Sequence, residues 1–216
     1  MHTTQRERDR PVTRRRSDLG VLFGGLALLV VCAIPASSGR VGSVEQWAFE
    51  AINGLPDALE PIANAAQFLG VLAIGPVVAV IALVARRPRL AIAALLATAG
   101  KLLGERALWE IVQRERPAVT EPGAIIRGGV ATTGLSFVSG HVVLVTALAW
   151  VASPYLHGRW RSLPWIGVAL VAFARIYLGA HNPLDVMGGL GMGLAVGGAV
   201  NLAIGVPRDP RGTPGG

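Results

Sequence analysis

Two of the four histidines in this 216-residue chain stand in surroundings suited to handling an anion. His181 and Asp185 are four residues apart at what reads as a helix start, a spacing that lets the two side chains face each other. A carboxylate on one imidazole nitrogen fixes the tautomer and leaves the other nitrogen as a nucleophile. His141 follows Ser139 and Gly140 at a second helix start. The first N–H groups of a helix are unpaired, the helix dipole adds partial positive charge there, and glycine lets a ligand come close to the backbone. Arg116 and Arg175 supply guanidinium forks that match phosphate oxygens. With His141 as general acid toward a leaving oxygen, these groups are the parts of phosphoryl transfer through a phosphohistidine. Zinc could take two histidines and a carboxylate. The flanking arginines would repel a cation, so neither a metal nor a cofactor is expected.

The elements that must hold these residues are apolar. The chain is 52% hydrophobic, only 15% charged, and has a mean hydropathy of +0.52. Soluble domains carry about 25% charged residues, so an ordinary soluble domain and a disordered chain are both excluded. Six apolar runs are legible: 19–36, 68–85, 90–112, 141–155, 163–180 and 184–206. Each approaches the roughly 20 residues that a membrane helix needs. The expected fold is therefore an all-α bundle of six transmembrane helices over 19–206, after a basic tail at 1–18 and before a disordered tail at 207–216. The first run has 18 residues, longer than the apolar stretch of about 7–15 in a signal peptide, and reads as a span. Residues 43–61 alternate apolar and acidic side chains and read as a short amphipathic helix and turn at the membrane surface. Cys32 is the sole cysteine, so no intrachain disulfide exists.

Of 20 basic residues 19 are arginine, and 13 fall on one side if the six spans alternate: six in the leader, three at 86–89, two at 159–161 and two in the tail. The positive-inside rule then sets both ends in the cytoplasm. The basic residues punctuate apolar runs, which points to a membrane and away from nucleic acid. The arginine-rich composition suggests a bacterial plasma membrane. Arg114, Arg116 and Arg175 fall on the opposite, outer side, where the rule would deplete them; such arginines need an anionic partner. The same topology brings Arg114–Pro117, Ser136–His141 and Arg175–Asp185 to that outer face.

In order and spacing these segments resemble the type-2 phosphatidic-acid phosphatase (lipid phosphate phosphatase) superfamily, which includes glucose-6-phosphatase and vanadium haloperoxidases. Its three motifs are Lys-x6-Arg-Pro, Pro-Ser-Gly-His and Ser-Arg-x5-His-x3-Asp. Here they read Trp109-x6-Arg116-Pro117, Val138-Ser139-Gly140-His141 and Ala174-Arg175-x5-His181-x3-Asp185. The resemblance covers about 19–206 and implies that His181 is the nucleophile, Asp185 its orienter and His141 the acid. Arg116, Arg175, Ser139 and Gly140 would hold the phosphate, without metal. It implies hydrolysis of a lipid phosphate or diphosphate, of polyprenyl or phosphatidic-acid type, on a membrane lipid as partner.

Three positions depart from the motifs. Val138 and Ala174 leave the backbone amides and Arg175 in place, but Trp109 removes a cation. Arg106, one helical turn before Trp109, is the expected replacement. Lys101 lies about 12 Å deeper at 1.5 Å per residue and can pair with Glu105. Asn182, Pro183 and Asp185 also fit a helix cap, N1 and N3, a role compatible with catalysis. Arg114 reads as a headgroup or solvent contact. A phosphotransferase acting on a lipid or sugar acceptor, and an impaired relative that only binds lipid phosphates, remain open. The sequence sets no oligomeric state.

Overall fold

The computed structural model describes residues 12–207. The first eleven residues of the basic leader and residues 208–216 of the tail lie outside them. Nine α-helices occur among the described residues: α1 (Arg16–Ala36), α2 (Ser43–Asn53), α3 (Glu60–Gln67), α4 (Ile74–Val84), α5 (Pro88–Trp109), α6 (Pro117–Thr120), α7 (Gly140–Ala152), α8 (Leu163–Tyr177) and α9 (Pro183–Ile204). Two short strands, β1 (Val12–Thr13) and β2 (Val206–Pro207), pair antiparallel, Val12 opposite Pro207 and Thr13 opposite Val206. The first helix thus begins three residues before the first apolar run, and Pro207, read as the start of a loose tail, is tied to the other end of the chain.

Side chains sort by size rather than by polarity. The outer faces of α1, α4 and α5 expose Phe23, Val31, Ile34, Val80, Ile81, Leu95 and Leu103. Their inner faces are built of small residues, including Ala91, Ala94 and Ala97 on α5. Small residues inside and large aliphatic ones outside is the arrangement of helices that pack in lipid, where burying leucine gains little and close backbone approach gains dispersion. Helix α7 is apolar all round and has ten of its 13 residues buried, so it is the central helix. Helices α1 and α9 pack backbone to backbone: a side chain on Gly191 would strike the Leu29 amide, and one on Gly198 the Asp18 carbonyl. The opposite glycines of α9 face α7, Gly189 against Ser139 and Val142, Gly193 against Val143 and Thr146. The glycine-rich sixth run is a packing surface, as its pattern indicates.

Among the described residues two helices, α1 and α9, are long and apolar enough to cross a membrane. The segments Asp57–Gly70 and Ile74–Val84 make a third if they form one span bent by 65°. The second apolar run is therefore not a straight helix over 68–85. Pro76, in the first turn of α4, has no N–H to give to a helical carbonyl at position 72, so the helix cannot run back through it. Helix α5 has the length, but Lys101, Glu105 and Arg106 place three charges in its second half. In the 43–61 region, α2 turns Glu45, Phe49 and Asn53 inward at four-residue steps and leaves Trp47 exposed. Its buried face carries a charge, which amphipathic periodicity alone would not indicate.

Candidate active site

The turn between α8 and α9 builds the centre of the site. Gly179 takes a positive φ of 73°, which reverses the chain after α8 with no Cβ penalty. The Arg175 carbonyl then accepts hydrogen bonds from the N–H groups of Ala180 and His181, both at 3.1 Å. Asn182 caps α9, Pro183 starts it, and the Asp185 carboxylate accepts the Asn182 N–H at 2.9 Å, as the cap reading expects. His181 thus sits between an anchor on the Arg175 carbonyl and one on the Asp185 carboxylate, and is buried.

Asp185 does not touch His181 by a direct hydrogen bond. Its Oδ2 lies 3.8 Å from His181 Nδ1. Between them stands Ser136, whose hydroxyl donates to Asp185 Oδ2 at 2.5 Å and lies 3.3 Å from His181 Nδ1. Ser136 is placed by the segment that follows α5, because its N–H donates to the Arg114 carbonyl at 2.7 Å and Glu115 bridges Leu135. Burial, opposed by Asp185 and reinforced by Arg175 and Arg116, brings the His181 imidazole down to about 4. It is neutral at pH 7 and can present a free nitrogen lone pair.

Ser139 caps α7, and its N–H donates to the Asp185 carbonyl at 2.9 Å, which docks the start of α7 on the first turn of α9. Its hydroxyl is buried with no partner. A side chain on Gly140 would strike the Glu105 carboxylate and Lys101, and Gly70 packs over the β-carbon of His141. Arg175, almost fully buried, donates to Gln67 at 2.5 Å and keeps its Nε without a partner. Arg116 donates to the carbonyls of Thr133 at 3.1 Å and Ala180 at 3.0 Å; burial lowers its basicity, which Asp185 and Glu105 partly restore.

The structure thus brings together His181, Asp185, His141, Ser139, Gly140, Arg116 and Arg175. It does not bring Arg106 to them. Arg106 is exposed, and five residues at 100° each put it about 140° round α5 from Lys101. The cation beside Gly140 is Lys101, whose Nζ pairs with Glu105 at 2.5 Å. Despite its depth along α5, the long side chain of Lys101 reaches the start of α7.

Arg114 corrects a second expectation. Among the described residues it is the largest wholly buried side chain, rather than a headgroup contact. It donates to Glu45 at 2.9 and 2.7 Å and to Asp185 at 3.2 Å. Burial works against its charge, but Glu45 and Asp185 hold it above the usual arginine range. Ser136, Glu45 and Gln67 were not legible as site residues. Ser136 stood inside the second motif segment and was the one with a signal. Among the described residues no three His, Cys, Asp or Glu side chains are grouped as ligands for a metal ion.

Comparison with known proteins bears on the family and the fold. Residues 90–206 match the PAP2 superfamily. YbjG of Escherichia coli (strain K12), assigned as an undecaprenyl-diphosphatase, is 29% identical over 153 residues, which span 68% of this chain and 75% of YbjG. Among solved structures, LpxE of Aquifex aeolicus superposes with a TM-score of 0.69 at 20% identity, over 74% of this chain and 96% of LpxE. The transmembrane PAP2-type phosphatidylglycerolphosphate phosphatase of Bacillus subtilis superposes with a TM-score of 0.66 at 23% identity, over 83% and 94%. The all-α expectation holds, and the fold is that of these membrane phosphatases. A match running through all three motifs and over more than half of the chain, on that fold, makes this protein a member of the PAP2 superfamily.

Proposed function

We propose that the protein is an integral-membrane, metal-independent phosphatase that removes phosphate from a lipid phosphate or diphosphate through a phosphohistidine on His181. The observation that carries this reading is the neutral, buried His181, held at Nδ1 by Ser136 and Asp185. That hold leaves Nε2 as the nucleophile. Its lone pair forms the P–N bond while the P–O bond to the lipid breaks, and His141 protonates the leaving oxygen. Water then attacks phosphorus as His141 takes back a proton from it, the P–N bond breaks, phosphate leaves, and Nε2 of His181 regains its lone pair. Arg116, Arg175, Lys101 and the amides at the start of α7 stabilise the charge on the transferring group. Lys101 takes the place of the cation missing at Trp109, supported by its contact with Gly140. This reading weakens the case for an impaired relative.

The finer topology belongs to the same proposal. Six spans over 19–206, with both ends cytoplasmic, put the site on the outer side of a bacterial plasma membrane at headgroup depth, where an amphiphilic substrate reaches it. The assignment of YbjG favours a polyprenyl diphosphate among lipid substrates. The test is phosphate release by detergent-solubilised protein from a panel of lipid phosphates with EDTA present, wild type beside His181→Ala. Release that survives EDTA and vanishes in the variant supports the reading. No release by folded wild type from any lipid overturns it.

A further inference from the structure

Glu45 lies in a helix outside the family-matching residues, yet its carboxylate is buried next to the catalytic turn. Its Oε1 accepts the Leu184 N–H at 2.9 Å, in the first turn of α9. Both its oxygens also accept from Arg114, which makes its longer, weaker bond to Asp185. One guanidinium therefore serves two carboxylates, with buried Glu121 also within its field, so Arg114 only partly offsets the Asp185 charge beside Ser136 and His181. That division matters. If Arg114 paired fully with Asp185, the field that holds the His181 Nδ1–H and balances the positive charge growing on the ring during attack would be cancelled.

We infer that Glu45 and Arg114 are positioning residues that set how much of the Asp185 charge reaches His181. Glu45 draws Arg114 away from Asp185; Arg114 fixes the Asp185 rotamer and tethers α2 to α9. The inference rests on the phosphohistidine reading. The other groups that face His181 are Arg175 on α8, His141 on α7 and Arg116 in the segment after α5. Lys101 and Glu105 on α5 face His141 and Arg116. None of these contacts Glu45, so a change at Glu45 reaches the imidazole through Arg114 and Asp185.

The two residues carry opposite charges, so their removal has opposite signs. In Glu45→Gln, Arg114 neutralises Asp185 and the imidazole becomes harder to protonate, so the acid limb of kcat/KM moves to lower pH. In Arg114→Gln, two uncompensated carboxylates move it to higher pH. Each shift is expected to be about half a pH unit or more. Each variant should lose about tenfold or more in kcat with little change in KM. Arg114→Lys keeps the charge and loses the fork, so the limb stays while kcat falls. The experiment is initial-rate phosphate release from one lipid phosphate across pH 4–8, with thermal unfolding of each protein measured alongside. Opposed shifts support the inference. Limbs that coincide with wild type, with rates falling only as the folded fraction falls, overturn it. If Arg114→Gln does not fold, Glu45→Gln decides alone, and an unchanged kcat and limb there overturn the inference. Wild type that turns over while these variants match it defeats the positioning role only; wild type without turnover defeats the phosphatase reading and this role with it.

Discussion

Ser136 donates its hydroxyl proton to Asp185 at 2.5 Å and, from 3.3 Å, offers its oxygen to the His181 ring. The Asp185 carboxylate thus meets the imidazole through a serine rather than directly. Losing a buried hydrogen bond to a charged group costs about 1.5–3 kcal/mol. Ser136→Ala is expected to lower kcat by about tenfold to a hundredfold and leave KM within about threefold. Steady-state kinetics on one lipid phosphate check this; an unchanged kcat would show that the carboxylate reaches His181 without the serine.

Lys101 and Arg106 separate two accounts of the missing motif cation. Lys101→Met should lower kcat/KM by roughly a hundredfold, the scale of losing one transition-state charge partner. Arg106→Ala, at an exposed position, should stay within about twofold. Trp109→Lys in the Lys101→Met background should recover part of the loss. The reverse ranking of Lys101 and Arg106 would return the role to Arg106.

The pH dependence of stability follows from His181. Its folded value of about 4 lies below the ordinary 6.5. Between those values the unfolded chain binds a proton that the folded chain refuses, so stability rises with pH across that window and falls as pH drops from 6.5 toward 4. His181→Gln removes this contribution. The loss of melting temperature between pH 7 and pH 5 should be smaller in His181→Gln than in wild type. Equal losses would mean that the imidazole titrates alike in both states.

Gly191 tests the helix packing. Its missing side chain lets α9 approach the Leu29 amide and the Gly25 carbonyl of α1. Backbone cannot yield as a flexible side chain can, so overpacking here should cost at least the usual 1–3 kcal/mol, on the order of a core insertion. Gly191→Val is expected to lower the melting temperature clearly, while Gly20→Val, at an open position on the same helix pair, should not.

The parts of the site legible in the sequence are those set by local spacing. His181 and Asp185 lie on one turn, Ser139 to His141 open one helix, and five of the six apolar runs begin and end within about three residues of a helix. The parts that escaped depend on contacts across long separations. Glu45 meets Arg114 across 69 residues, and Arg175 meets Gln67 across 108. An acidic residue in an amphipathic pattern reads as solvent-facing unless its partner is known. Lys101 was underrated because rise along a helix says nothing of where a flexible side chain ends. The bend before α4 was missed because hydropathy does not register the absent N–H of Pro76.

The antiparallel pairing of Val12 with Pro207 constrains the chain's path between them. Both strands are too short and too close to Arg14, Arg15 and Arg16 to sit within lipid. Two points held beside each other on one surface of a bilayer are joined by a path of even parity. The proposed six spans satisfy that parity, whereas the two long helices and the bent pair alone would not. Labels attached near residues 12 and 207 would then report from the same compartment, and a single accessibility assay on both would read that parity directly.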